Sequence, residues 1–458
     1  MTLEEAGRPQ KSAKAERASE KRGEAPTIAA RGEASSADQD HERSGSRDLM
    51  DRVTQVTNLQ AALKRVERNA GSPGVDGMRA DELRPYLRKH WKDLVRALLD
   101  ETYRPRAVKK QEIPKDGGGV RVLGIPCVLD RFIQQALLQV LQPIFDPTFA
   151  DHSLGFRPGR SAHDAILRAC EYIQSGRRVV VDVDLEKFFD RVNHDVLMGR
   201  LAKRIDDKRV LRLIRGYLTA GMMADGVVIE REEGTPQGGP LSPLLANVLL
   251  DEVDQELERT GHAFARYADD CNVYVHSKRA GERVMERLKK LYGQLRLRIN
   301  EDKSAVASAF ERDFLGFGFW VAPGGEVKLR ASKKALRKLK ERVRKLTRRN
   351  GGKSLEQVAQ KLASYLTGWH GYFRLAQTPG VRRTLDEWIR HRMRVIQLKH
   401  WKRGTTAFRE LRARGVEFGA AIGIARHVRS WWRCSNRLIH VAFPNRFFDE
   451  LGIPRLTT

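Results

Sequence analysis

Paired cysteines are missing from this sequence. Its four cysteines, Cys127, Cys170, Cys271 and Cys434, are scattered with no C-x-x-C pair. That pattern argues against a disulfide framework and a structural zinc site, and fits a reducing cytoplasm. Long apolar runs are missing as well. Nothing approaches the ~18 residues of a membrane span, and the N-terminus has no apolar signal segment. Acidic residues are scarce in the last third: residues 321–458 carry 32 Lys and Arg against 9 Asp and Glu, whereas residues 1–50 carry 9 against 10. Of the net charge of +27, +23 therefore sits beyond residue 320. So local an excess suits a polyanion, with nucleic acid ahead of an acidic membrane surface, although a solvated basic face is the plainer alternative. Aromatic and branched apolar residues are nearly absent from residues 1–48. Such a segment cannot bury enough surface to offset its ordering entropy and is expected to be a disordered tail.

What remains is ample. A chain of 458 residues holds two or three domains with real cores, since single cores seldom grow past ~250–300 residues. Helical spacing begins near Asn58 with Leu59, Ala62, Leu63 and Val66, and returns over 128–145. Residues 111–126 (QEIPKDGGGVRVLGIP) read as two strands joined by a Lys115-to-Gly119 turn. Residues 178–185 (RVVVDVDL) alternate like a strand, and 264–275 read as strand–turn–strand with Asp269-Asp270 at the turn. Residues 314–321 (FLGFGFWV) read as a strand pair hinged on glycines. Ser332 is a candidate N-cap for a strongly basic helix running to Gly351-Gly352, with Leu336, Leu339, Val343 and Leu346 on one face.

The carboxylates suggest the chemistry. Phosphoryl transfer from a nucleoside triphosphate uses two Mg²⁺ ions, one at the attacking hydroxyl and one at the leaving pyrophosphate. Mg²⁺ wants hard oxygen ligands and keeps several waters, so two or three carboxylates on rigid strand ends suffice. Val180, Asp182 and Asp184 share one strand face, and Asp184 falls where that strand ends. A hairpin paired beside it would bring Asp269 and Asp270 to the same place, where three acids repel one another unless cations bind. Taken singly, an Asp-Asp turn is commonly just a solvated turn, and a lone strand Asp a surface residue.

The surrounding residues decide between these readings. Residues 267–270 (YADD) resemble the palm motif of reverse transcriptases, and 184–190 (DLEKFFD) resemble their first metal motif. Residues 234–243 (GTPQGGPLSP) are similar to the intervening nucleotide-and-template motif. Residues 113–126 and 154–163 (LGFRPGRSAH) match the finger motifs, and 300–304 and 314–317 the last two palm motifs. Together with 365–373 (YLTGWHGYF), the set resembles bacterial group II intron-encoded reverse transcriptase/maturases over about 400 residues.

The resemblance implies an α+β, right-hand polymerase of fingers and palm with a mainly helical thumb/maturase domain. The expected division is a disordered polar tail at 1–50, fingers and palm at 51–321, and a basic helical thumb/maturase (X) domain at 322–458. It implies that Asp184 and Asp269 ligate two Mg²⁺ ions, with Asp270 in support and the Leu185 carbonyl as a further ligand. Lys115, Arg121, Phe189, Gln237 and Lys303 fall where the family meets the deoxynucleoside triphosphate. Phe189 would pack under the sugar and exclude a 2′-hydroxyl, and Lys303 would serve as a general acid toward pyrophosphate. Arg157 and Arg160 would grip triphosphate or template, and Lys338, Arg342, Lys345 and Trp369 would meet RNA. Beside these stand plainer readings: hairpin charges for Lys115 and Arg121, surface charges for Arg157 and Arg160, a turn residue for Lys303, and core packing for Phe189 and most tryptophans.

The implied partners are group II intron RNA, an RNA template with a DNA primer, and deoxynucleoside triphosphates, with splicing and mobility assisted in the cytoplasm. The paired cysteines and histidines of a C-terminal endonuclease are absent, so the resemblance is to the endonuclease-lacking, class C-like members. A reverse transcriptase of another lineage (retron, diversity-generating or defence-linked) and a non-catalytic splicing cofactor are the alternatives.

Overall fold

The computed structural model describes residues 48–114, 119–224, 227–229, 231–348, 351–428, 430, 432 and 439–457. Lys115, the polar segment 1–47, Trp431 and Cys434 lie outside the described residues. Ser46–Thr458 form one compact unit. Among the described residues no helix is long and apolar enough to cross a membrane.

In chain order the described residues open with helices α1 (Leu49–Thr54), α2 (Val56–Asn69) and α3 (Leu83–Leu99). Strands β1 (Val108–Pro114) and β2 (Val120–Ile125) follow, then α4 (Val128–Phe145) and α5 (Ala162–Gln174). Next come β3 (Val179–Val183), α6 (His194–Leu201), α7 (Lys208–Thr219), β4 (Met222–Ala224), β5 (Val227–Ile229) and α8 (Ser242–Arg259). Then come β6 (Ala263–Tyr267), β7 (Asp270–Val275), α9 (Lys278–Gln294) and β8 (Ala305–Ser308). A hairpin of β9 (Phe317–Val321) and β10 (Val327–Ala331) leads to α10 (Lys333–Leu346), α11 (Leu355–Phe373), α12 (Pro379–Trp401), α13 (Gly404–Ala413), α14 (Phe418–Arg426) and α15 (Asn445–Glu450).

The sheet that matters has the order β6-β7-β3-β8, all neighbours antiparallel. Side chains alternate along a strand, and here both faces are covered. Val181 and Val183 join the large core shared with α8 and α9, while Val180 joins a second core with Ala165, Ile166, Ala169 and Ile173 of α5. That second core also takes in Phe317, Phe319, Val327 and Leu329 of the β9–β10 hairpin, and Phe373 and Ala376 at the end of α11. A third core, with Leu339, Val343, Leu362, Ile389 and Met393, holds the C-terminal helices together. β1 and β2 pair antiparallel with Ile113 opposite Arg121, as the 111–126 pattern predicts.

Several expected boundaries move. Helix begins at Leu49, before Asn58, because Leu49 and Met50 are buried and the Met50 N–H donates to the Asp207 carboxylate at 2.8 Å. The expected tail at 1–50 therefore loses its last residues to α1. Residues 314–321 are not a strand pair: Leu315 (φ 49°) and Gly316 (φ 82°) make a tight turn, with hydrogen bonds between Phe314 and Phe317 in both directions. The partner of β9 is β10, with Phe319 opposite Leu329. The expected division at 321/322 thus falls between two paired strands. Ser332 caps α10 as expected, its hydroxyl accepting from the Ala335 N–H at 3.1 Å. The helix stops at Leu346 rather than at Gly351-Gly352. The Thr347 hydroxyl donates to the Val343 carbonyl and accepts from Arg392 Nε, which closes the last turn early.

Candidate active site

Strand register brings the acids together. Val183 pairs with Cys271 and Asp182 with Asn272, so the next step beyond β3 sets Asp184 opposite Asp270, the first residue of β7. β6 and β7 close on Tyr267 opposite Asp270, leaving Ala268 and Asp269 as the turn. Ala268 holds φ at 59°, left-handed for a residue with a Cβ; that conformation costs roughly 1–2 kcal/mol and persists only where its surroundings enforce it.

The far side of Asp184 is fixed by residues 299–304. Its N–H donates to the Ser304 hydroxyl at 2.9 Å, and its carbonyl accepts from the Asn300 N–H at 2.8 Å. Leu185 bridges to Ile299 through the flanking bonds Glu186 N–H to Arg298 carbonyl and Asn300 N–H to Asp184 carbonyl. Those bonds leave the Leu185 carbonyl outside the ladder.

Crowding shows in the electrostatics. Withdrawal from water, followed by repulsion from Asp269, Asp184 and Asp182, pushes the Asp270 carboxyl up to about 7, against a partial pull from Lys303. Asp270 still opens to solvent, so the repulsion is the part that a cation would relieve. Burial and then Asp184 likewise raise Asp269, with Arg121 and Arg266 pulling the other way. Burial raises Asp182, opposed by the Arg312 guanidinium that bonds it at 2.8 Å from Nε.

A set of mutually repelling hard oxygens, with the Leu185 carbonyl outside the bridge to Ile299, fits Mg²⁺. Among the described residues no three acidic, His or Cys side chains already stand at ligand distance. Lys303 Nζ pairs with Asp184 at 3.3 Å and serves as the local counter-charge.

The loop expected to face the nucleotide is held at both ends. Gly234 N–H donates to the Val192 carbonyl at 2.8 Å and Thr235 N–H to the Phe189 carbonyl at 2.7 Å. A Cβ on Gly234, where φ is 92°, would sit 2.9 Å from the Asp190 carbonyl oxygen, so only glycine allows this approach. At the other end Arg121 Nε donates to Gln237 Oε1 at 2.8 Å, and the Gly124 N–H to the Gln237 carbonyl at 3.1 Å. Arg121 and Gln237, expected from separate motifs, thus meet directly. Phe188 is buried, and Phe189 lies half-buried edge-on to it at 5.0 Å.

Arg157 does not fit the expected grip on template or triphosphate. Its side chain is 4% exposed and bonds the Asp146 carboxylate together with the carbonyls of Asp146, Phe149, Ala150 and Ser153; its donors are engaged within the protein. Arg160 stays partly open and pairs with Asp151 at 3.1 Å. Lys338, Arg342 and Lys345 are exposed on α10, Arg342 lying over the Tyr365 ring at 6.0 Å. Trp369 packs between two cores, with its ring 4.7 Å from Phe373, so core packing accounts for it. Sequence reading missed Arg312 and Arg266, whose side-chain partners are remote in the chain, and took Ser304 only as part of the 300–304 motif, with no role of its own.

Comparison with known proteins finds two family matches. Residues 113–319 match the family described as reverse transcriptase (RNA-dependent DNA polymerase), and residues 336–415 match the group II intron, maturase-specific domain. Protein YkfC of Escherichia coli (strain K12) is 34% identical over 278 residues, covering 52% of this chain and 73% of that protein. Group II intron-encoded protein LtrA of Lactococcus lactis subsp. cremoris is 36% identical over 211 residues, covering 45% of this chain and 35% of LtrA. The chain thus spans most of one relative and about a third of the other. With a reverse transcriptase match, a maturase match and these relatives in one chain, the protein belongs to the family of group II intron-type reverse transcriptase/maturases.

Proposed function

We propose that this chain is an RNA-directed DNA polymerase of a group II intron, which also binds the intron RNA and assists its splicing and mobility. One observation carries the polymerase reading: the β3–β7 register sets Asp184 beside Asp269 and Asp270, where burial and then repulsion from the neighbouring carboxylates raise Asp270 to about 7. In this reading Asp184 and Asp269 hold two Mg²⁺ ions, with Asp270 and the Leu185 carbonyl in support. The ions would supply charge neutralisation at the attacking primer hydroxyl and the leaving pyrophosphate. Arg121, held by Gln237, presents positive charge toward the triphosphate, a role that the motif at 113–126 gives to Lys115 as well. Phe189 packs beneath the sugar and leaves no room for a 2′-hydroxyl. Lys303, already paired with Asp184, is placed to give a proton to pyrophosphate.

The substrates in this reading are an RNA template with a DNA primer and deoxynucleoside triphosphates. The exposed basic face of α10, with Lys338, Arg342 and Lys345, meets RNA phosphates, and the partly open Arg160 meets template or triphosphate. The maturase match over residues 336–415 favours an intron lineage over other reverse transcriptases. The described cysteines Cys127, Cys170 and Cys271 are free thiols, which suits a reducing cytoplasm. Asp269→Ala tests the reading: Mg²⁺-dependent cDNA synthesis on an RNA template is expected to vanish while RNA affinity holds. Synthesis that survives the change removes the turn from catalysis.

A further inference from the structure

The turn that carries Asp269 rests on a buried arginine. Arg266 is 1% exposed and ends in a planar fork whose bonds all stay inside the protein. Nε donates to both carboxylate oxygens of Asp254 at 2.8 Å, and Nη2 donates to Asp254 and to the Ser153 hydroxyl. Nη1 donates to Asn247 Oδ1 at 3.0 Å and to the Ala268 carbonyl at 2.8 Å. Ala268 is the left-handed residue of the turn. Behind it Gly155 approaches so closely that a Cβ there would sit 2.1 Å from the Ala268 nitrogen. The Gly155 carbonyl is held in turn by Asn247 Nδ2 at 2.9 Å. Asn247 therefore ties the backbone behind the turn to the arginine beneath it.

We propose that Arg266, seated by Asp254 and Asn247, is a positioning residue that clamps the Ala268 carbonyl and so fixes Asp269 for metal binding. The physical need is plain. Three like charges at Asp184, Asp269 and Asp270 push the turn open, and a left-handed alanine is a conformation the chain would otherwise leave. A guanidinium suits the task because its rigid fork reaches two acceptor sets at once, whereas a lysine ammonium of similar charge serves one. The clamp acts through the backbone and touches neither substrate nor metal.

This inference rests on the metal-binding reading of Asp269, and the experiment separates the two. Mn²⁺ binding to the full-length chain is followed by electron paramagnetic resonance for wild type, Asp269→Ala, Arg266→Lys, Asn247→Ala and Ser153→Ala. RNA affinity and thermal melting report on folding. Asp269→Ala should lose the site. Arg266→Lys should weaken it by about tenfold or more, the range typical of residues that orient a metal ligand. Asn247→Ala should weaken it in the same direction, and it keeps the inference testable if Arg266→Lys fails to fold. Ser153→Ala removes a bond to the same guanidinium without touching the Ala268 contact, so it should leave Mn²⁺ affinity within about twofold, as expected of a site whose clamp is intact. Mn²⁺ binding that survives Asp269→Ala refutes the metal reading itself. Binding lost there but unchanged in Arg266→Lys and Asn247→Ala, or weakened equally in Ser153→Ala, refutes the clamp alone.

Discussion

A single methyl group at Gly155 should disable the polymerase by moving the catalytic turn. Built on the existing backbone, that methyl falls 2.1 Å from the Ala268 nitrogen, 2.9 Å from the Tyr267 carbonyl carbon and 3.1 Å from Ala268 Cα. All three are backbone atoms, so no side-chain rotation relieves the clash, and one of the two segments must retreat by roughly 1 Å. Overpacking of this kind costs about 1–3 kcal/mol of stability. A displacement of about 1 Å at a reacting group costs about 10²-fold in rate, or ~2.7 kcal/mol of barrier. Gly155→Ala is therefore expected to slow single-nucleotide extension of a primer on RNA about a hundredfold while melting only a little earlier. Gly199, inside α6 with nothing within 4 Å of the added carbon, is the control; alanine there should be neutral or stabilising by about 0.4–1 kcal/mol. A Gly155→Ala protein that extends primers at the wild-type rate would refute the close packing of these two segments.

Three further outcomes are expected. Phe189→Val should raise ribonucleotide incorporation relative to deoxyribonucleotide in primer extension, and unchanged sugar discrimination would remove Phe189 from that role. Without divalent cations, stability should fall as pH rises from about 4 to about 7. Asp270 keeps its proton to about 7 when folded but only to about 3.8 otherwise, so the unfolded chain releases it first. Added Mg²⁺ should restore the melting temperature at pH 7, and a flat profile in chelator would contradict the crowding of these carboxylates. Replacing Lys338, Arg342 and Lys345 with Gln should make the dependence of RNA affinity on salt shallower by roughly two to three units of log–log slope, and an unchanged slope would take α10 out of the RNA contact.

The parts of the site that were legible in sequence are those whose signal is local. Alternating valines marked β3, residues 267–270 marked the β6–β7 hairpin, although its turn falls at Ala268-Asp269 rather than Asp269-Asp270, and Ser332 marked the start of α10. What escaped is long-range. The Arg157 motif looks like a nucleic-acid contact until the chain folds the Asp146 carboxylate and four carbonyls around it. Nothing beside Arg266 announces that Asp254, Asn247 and Ser153 will converge on it. The β9 partner was misassigned for a related reason. Glycines at 316 and 318 suggest a hinge, but which strand pairs depends on Val327 and Leu329 meeting Val321 and Phe319.

The core beneath the β9–β10 hairpin bears on how this protein can be taken apart. Phe317, Phe319 and Leu329 share that core with Ile166 and Ile173 of α5 and with Phe373 at the far end of α11. His163 of α5 meets the Tyr372 carbonyl at 2.6 Å, and the Tyr372 hydroxyl donates to the Leu315 carbonyl at 2.8 Å. A truncation at the end of β9 would strip that strand of its only ladder partner in the two-stranded sheet and leave phenylalanines bare, an invitation to aggregate. The stretches that match the reverse transcriptase family and the maturase-specific domain thus share one foundation. Recombination that exchanged one half for a relative's would have to carry α11 along with the hairpin.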